Sequence, residues 1–193
     1  MPNPEPGSLL DADHPDFQRL TPQEAAGLGQ RALEAVGYSG EDARITIDQL
    51  VDNSLCGYRF AGLPRVLAIA TDVKTKQPRK PVSIVRETPV SALVDGGNNI
   101  GYVAAYRGAE IAIQKAKTSG MATVGVFNSY YSGRNAYFVE KIVRAGLVAF
   151  HTSAASPRVL PPGAAKPMLG TNPICFGFPV SYTHLTLPTK RIV

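Results

Sequence analysis

The 193-residue chain has no tryptophan, three methionines, three histidines and two cysteines, and only 18% of its residues are charged. Each shortage excludes something. Two cysteines cannot build the disulfide framework of a small secreted domain, and neither Cys56 nor Cys175 has a second ligand at metal-binding spacing, so both are expected to be buried thiols within apolar stretches, with no metal site. The longest apolar runs, Gly146 to Phe150 and Ile174 to Val180, fall far short of the roughly 18 residues of a membrane helix. No membrane partner is expected. Residues 1–7 are rich in Pro and acidic, with no apolar stretch behind them, so no secretory signal is expected and the cytoplasm is the expected address. The net charge of +5 is modest and no basic cluster alternates with aromatics, which argues against a nucleic-acid groove. His14 and His184 lie near the ends, leaving His151 on a predicted strand, where a lone His reads as structural. No Ser/His/Asp or Cys/His constellation and no convincing carboxylate pair supports hydrolysis.

What is present is a substantial apolar fraction, 44%, enough for one domain or two small ones. Residues 1–20 carry Pro and Asp without period and read as a flexible tail. Thr21-Pro22-Gln23-Glu24 then forms a capping box with Pro at the first helical position, and Leu28, Ala32, Leu33 and Val36 follow as a stripe ending at Gly37. Ser39 with Asp42 repeats the cap signal, and Ile45, Ile47, Leu50, Val51 and Leu55 supply a broad apolar face. A short third helix is expected over 64–73, with Leu67, Ala68 and Ala70 available for packing. The segment 21–73 is therefore a helical unit.

After an exposed connection broken by Pro78 and Pro81, the period changes. Short strands are expected at 82–86 and 90–94, a turn at Asp95-Gly96-Gly97-Asn98-Asn99, and a helix from about Gly101 to Lys117 stopped by Gly120. A strand at 123–127, a helix at 135–145, a strand at 147–152, a loop at 157–167 and a strand at 174–178 follow. Helix alternates with strand, so 82–179 reads as a mixed α/β domain.

Val180 to Thr189 is what one reading frame of a transposase sequencing adapter encodes, and Pro179 can take the codon that closes the frame. Residues 180–193 are accordingly expected to be an adapter-derived artefact, with the natural sequence breaking off near Pro179. Without Lys190 and Arg191 the basic to acidic balance is 18 to 15, a net +3.

Three places can carry chemistry. The Gly96, Gly97 and Gly101 passage invites a nucleotide reading, since glycines let backbone approach phosphate at a helix start, but it is neither G-x-G-x-x-G nor a P-loop, and turn geometry is the better explanation. Arg65 follows Gly62 and Pro64 in apolar surroundings; it can grip a carboxylate with two parallel hydrogen bonds or snorkel from a helix start. Asn128-Ser129-Tyr130-Tyr131-Ser132-Gly133-Arg134, after a strand and before a helix, either presents side chains to a ligand or is a turn that caps the helix. Gly170-Thr171-Asn172-Pro173 has the same two readings.

In order along the chain, Val94-Asp95-Gly96 with Gly101, Asn128-Ser129, Pro161-Pro162-Gly163 and Leu169-Gly170-Thr171-Asn172-Pro173 resemble the malate/L-lactate dehydrogenase family that is unrelated to Rossmann-type lactate dehydrogenases. The resemblance covers most of 21–179. It implies a mixed α/β fold with a helical N-terminal unit and a non-Rossmann nucleotide-binding domain, incomplete here. It also implies a homodimer that uses NAD or NADP to move a hydride to or from the alpha carbon of a small 2-hydroxy, 2-oxo or imino acid. The family carries Ser-His-Gly-x-x-Arg at the start of its third helix, the His donating a proton and the Arg holding the substrate carboxylate. Here Gly62 and Arg65 match and Ala61 replaces the His, while Tyr131 replaces a second family His in the Asn-Ser-x-His segment. The resemblance thus points to Arg65 as carboxylate clamp, Tyr131 as proton donor, and Asn128, Ser129, Thr171 and Asn172 as site lining. A phenol, with a reference pKa of about 10, is a poorer match to neutral pH than imidazole. The alternative is a small-acid-binding relative with altered or no catalysis. The family's main cofactor segment lies beyond the strand at Ile174.

Overall fold

The structure, a computed structural model, describes residues 19–179; the expected tail through residue 18 and the adapter-like 180–193 lie outside the described residues. The chain divides between Ala70 and Thr71 into two compact units.

The first unit is helical. Helix α1 (Pro22–Ala35) starts on the expected capping box: Thr21 Oγ accepts from Glu24 N–H, and the Glu24 carboxylate accepts from Thr21 N–H at 2.8 Å. Its buried positions are Ala25, Gly29 and Leu33, whereas Leu28, expected in the stripe, is half exposed. The reason is a close approach. Helix α2 (Gly40–Leu55), capped by Ser39 on Asp42 N–H, inserts Ile47 where a Cβ on Gly29 would stand, so the contact ridge follows the glycine rather than the leucine. Ala43, Ile45, Ile47 and Leu50 are buried on α2, while Leu55 at its end is exposed. After a 3-10 turn at Arg59–Ala61, α3 (Arg65–Thr71) buries Val66 and Ile69 and turns Leu67 outward.

The second unit holds β1 (Ser83–Thr88), β2 (Ser91–Ile100), α4 (Gly101–Ser119), β3 (Thr123–Tyr130), α5 (Asn135–Arg144), β4 (Ala149–Thr152) and β5 (Ile174–Gly177). Mixed α/β is therefore the fold class. The first sheet has the order β1-β2-β3, with β1 antiparallel and β3 parallel to β2, and α4 is the crossover between the parallel pair. Ala92 and Val94 of β2 are buried on the α4 side, and Gly108 of α4 sits directly against Val126 of β3. Helix α4 ends where Gly120 takes a left-handed φ of 81° and donates to Ala116 C=O. The second sheet pairs β4 with β5 antiparallel, and α5 covers one of its faces: Val139 and Val143 fill the space beside Gly177.

The expected turn at 95–99 is instead part of β2. Pairing with β3 runs from Ser91↔Thr123 to Asp95↔Phe127, breaks, and resumes at Asn99↔Ser129 and Ile100↔Tyr130. Gly97 and Asn98 take left-handed φ values of 59° each and bulge out of the ladder. Asn99 closes the bulge by donating from Nδ2 to the carbonyls of Gly96 (2.8 Å) and Lys80 (2.6 Å). Likewise β3 runs on to Tyr130, so Asn128 and Ser129 lie on the strand end rather than after it.

The cysteines correct a second expectation. Cys56 is exposed, because it is the residue at which α2 stops, and Cys175 is half-buried in a two-stranded sheet covered on one face only.

Candidate functional site

In the helical unit the segment before α3 is held by the last turns of α2. Asn53 Nδ2 donates to Ala61 C=O at 3.0 Å, and Ser54 Oγ accepts from Leu63 N–H at 2.9 Å while donating to Leu50 C=O. Gly62 lies so close to Ser54 that its missing Cβ is filled by the Ser54 hydroxyl. This cage sets Arg65 at the first turn of α3, half-buried, with its guanidinium carbon 4.8 Å from the centroid of the Phe60 ring. The Nε atom of that guanidinium is buried.

The second unit assembles its polar residues at the carboxyl ends of the parallel strands β2 and β3, where ligands commonly bind in α/β sheets. Asp95 Oδ1 accepts from Gly97 N–H at 2.8 Å and from Asn128 Nδ2 at 2.8 Å. These two bonds, the backbone one foremost, together with the charge of Lys80, hold the Asp95 carboxyl below its ordinary pKa against a small opposing effect of desolvation. It stays an ionised acceptor. Asn128 itself has a φ of 53°, a conformation that Asn tolerates better than most residues because its short amide can bond locally. Gly96 permits the closeness: a Cβ there would stand 2.9 Å from both the Phe127 and the Asn128 carbonyl oxygens.

Beyond β3, Tyr130 is buried, with its hydroxyl 3.0 Å from Thr75 Oγ1 and Lys74 Nζ over its ring. Tyr131 follows at a φ of 52°, 38% exposed and edge-on to Tyr130. The chain then enters α5 without a side-chain cap, contrary to the alternative in which Ser or Asn capped that helix. Asn135 has another task. Its Nδ2 donates to Ser153 Oγ and to Pro173 C=O, tying the 171–173 segment to the start of α5. Thr171 and Asn172 are exposed, and Asn172 Oδ1 accepts from Ala155 N–H at 3.0 Å, so one face of that amide is committed to the neighbouring loop.

The structure thus gathers Asn128, Ser129 and Tyr131 on one strand end and links 171–172 to the helix that follows it. Arg65 belongs to the other unit. Asp95, Asn53, Ser54 and Asn135 position these residues and were not singled out for that work in the sequence. Asp95 two places before a glycine is the Asx-turn pattern, and Asn53 is a polar residue on the buried face of an amphipathic helix; both are signals that sequence alone carries.

The glycines at 96, 97 and 101 do not form a phosphate cradle. A Cβ on Gly97 would strike the Lys80 carbonyl, and one on Gly101 would lie 2.7 Å from Ser132 Cα, so the chain's own backbone fills the space a pyrophosphate would need. His151, on β4, stacks on Phe138 at 5.4 Å between ring centroids, and burial pushes its pKa down. That is a packing role.

Comparisons with known proteins agree with one another. The sequence model of a family described as malate/L-lactate dehydrogenase matches residues 20–187, reaching past Pro179 into the adapter-like segment. A malate/(S)-sulfolactate dehydrogenase of Methanothermus fervidus is 33% identical over 177 residues, covering 90% of this chain and 52% of the relative. An NAD(+) ureidoglycolate dehydrogenase of Escherichia coli K12 is 33% identical, covering 71% of this chain and 46% of its own length. Among solved structures, a malate dehydrogenase from Pyrococcus horikoshii superposes with a TM-score of 0.81 at 29% identity, over 88% of this chain and 49% of that one. The chain spans about half the length of the curated relatives it matches.

Proposed function

Because the chain belongs to the malate/L-lactate dehydrogenase family, we propose that it serves an NAD- or NADP-linked oxidoreductase acting on a small 2-hydroxy, 2-oxo or imino acid. The observation that carries this reading is the Asp95–Asn128 hydrogen bond at the carboxyl ends of β2 and β3, within a chain matched over 20–187. A nicotinamide cofactor would supply or accept the hydride; no contact to it is assigned among the described residues. The chain's own part is binding and proton handling. Arg65 clamps the substrate carboxylate through paired N–H donors. Tyr131, half-exposed where the family has a His, donates the proton to the substrate oxygen or nitrogen, and Ala61 has none to give. Asn128, Ser129, Thr171 and Asn172 line the site. The acting protein is a homodimer in the cytoplasm.

The test is the appearance of reduced nicotinamide absorbance when the purified full-length protein meets NAD+ or NADP+ with malate, lactate, sulfolactate or ureidoglycolate, the acids for which its family and relatives are named. Turnover of one or more is expected. Silence across the panel with both cofactors overturns the dehydrogenase reading and leaves a small-acid-binding protein.

A further inference from the structure

An asparagine amide has two faces, a carbonyl that accepts and an amino group that donates, and its neighbours choose which one a ligand meets. At Asn128 the choice is made by Asp95. The carboxylate of Asp95 can only accept, so Asn128 must turn its amino group inward, 2.8 Å from Asp95 Oδ1. Its carbonyl oxygen then faces away from the pair, and among the described residues it accepts no hydrogen bond. The rotamer has little freedom to change. Asp95 is anchored by Gly97 N–H in the bulge, Asn128 by its left-handed backbone and by Gly96, whose lack of a Cβ admits the 127–128 carbonyls. The bond crosses from β2 to β3 at the point where their pairing breaks.

We propose that Asp95 is a specificity-determining positioning residue: by fixing the Asn128 amide, it makes the site present an acceptor, and so favours substrates whose 2-carbon bears a hydrogen-bond donor, a hydroxyl or a protonated imine, over those bearing a keto oxygen. This rests on the functional reading above. The low pKa of Asp95 keeps the device in one state, since a protonated carboxyl could donate and let the amide turn over. A keto oxygen facing the Asn128 carbonyl would place two acceptors together, whereas a hydroxyl or iminium N–H completes the bond.

Asp95→Ala removes the one oxygen that accepts from both Gly97 N–H and Asn128 Nδ2, so the Asn128 amide is free to turn its amino group toward the ligand. In the full-length protein, with malate against oxaloacetate and lactate against pyruvate, the ratio of KM for the oxo acid to KM for the hydroxy acid should fall about tenfold in D95A, the size expected for one hydrogen bond. Asp95→Asn keeps that oxygen, and with it both bonds, so its ratio should stay within about threefold of the parent. A purely structural latch would lower the thermal midpoint and change both KM values alike in D95A, leaving the ratio where it was; that result overturns the proposal. Where D95A does not fold, Asn128→Gly keeps the left-handed backbone and deletes the acceptor, and should weaken the hydroxy acid alone; equal weakening of both acids overturns the proposal. A parent protein that turns over no acid in either direction overturns the functional reading and this inference with it, while a parent that turns over and a D95A with an unmoved ratio overturns this inference only.

Discussion

The hydroxyl of Ser54 occupies the place that a Cβ on Gly62 would take, so that the end of α2 and the approach to α3 are packed backbone to side chain. The same hydroxyl accepts from Leu63 N–H. Arg65 begins its helix two residues later, and its placement depends on this contact.

Gly62→Ala should therefore destabilise the protein by about 1–3 kcal/mol, the usual cost of forcing a methyl into filled space. Ser54→Ala removes the obstructing oxygen together with the Leu63 bond. The two changes should be less harmful together than the sum of each alone, which thermal melts of the two single variants and the double variant would measure.

Arg65→Lys tests the clamp. A lysine keeps the charge and loses the planar pair of donors, so KM for an acid substrate should rise about tenfold while that of its uncharged amide analogue changes little. Steady-state kinetics on both in the full-length protein decide it; equal changes would remove the clamp role.

The closed glycine passage makes a prediction about the cofactor. With the space beside Gly97 and Gly101 filled by Lys80 and Ser132, the 193-residue chain should show no micromolar binding of NADH or NADPH in a calorimetric titration. A clear binding isotherm in that range would refute the assignment of the phosphate seat away from these residues.

His151 sets an acid limit. Burial depresses its pKa in the folded state, so the neutral form is favoured there and the unfolded chain binds the proton more readily. The stability that follows is whole above the unfolded value of about 6.5 and is lost as pH falls through the lower folded value. His151→Phe, which preserves a ring against Phe138, should flatten this part of the stability profile in urea melts run between about pH 7 and 5.

Much of the local architecture is legible without coordinates. The caps at Thr21 and Ser39, the stop at Gly120 and the helix from Gly101 depend on bonds between residues a few places apart, which a linear reading reaches. The errors share a cause. Leu28 and Leu67 are apolar by type yet face outward, because a helix's buried stripe is chosen by the partner it meets, and α2 approaches α1 at Gly29. The segment 95–99 has the composition of a turn, and only the ladder to β3, which continues at Asn99↔Ser129, keeps it in a strand. In the same way Asn128 and Tyr131 are visible as polar and aromatic residues before a helix, while the partner that orients Asn128 lies 33 positions earlier.

From the order of residues alone come the alternation of helix and strand and the family resemblance carried by 94–96, 128–129 and 169–173, since these are properties of residue type and spacing. Which partner orients the Asn128 amide and whether the glycines are open to phosphate follow from contacts between segments far apart in the chain. Those contacts exist only after packing has chosen among many pairings that the same composition would permit.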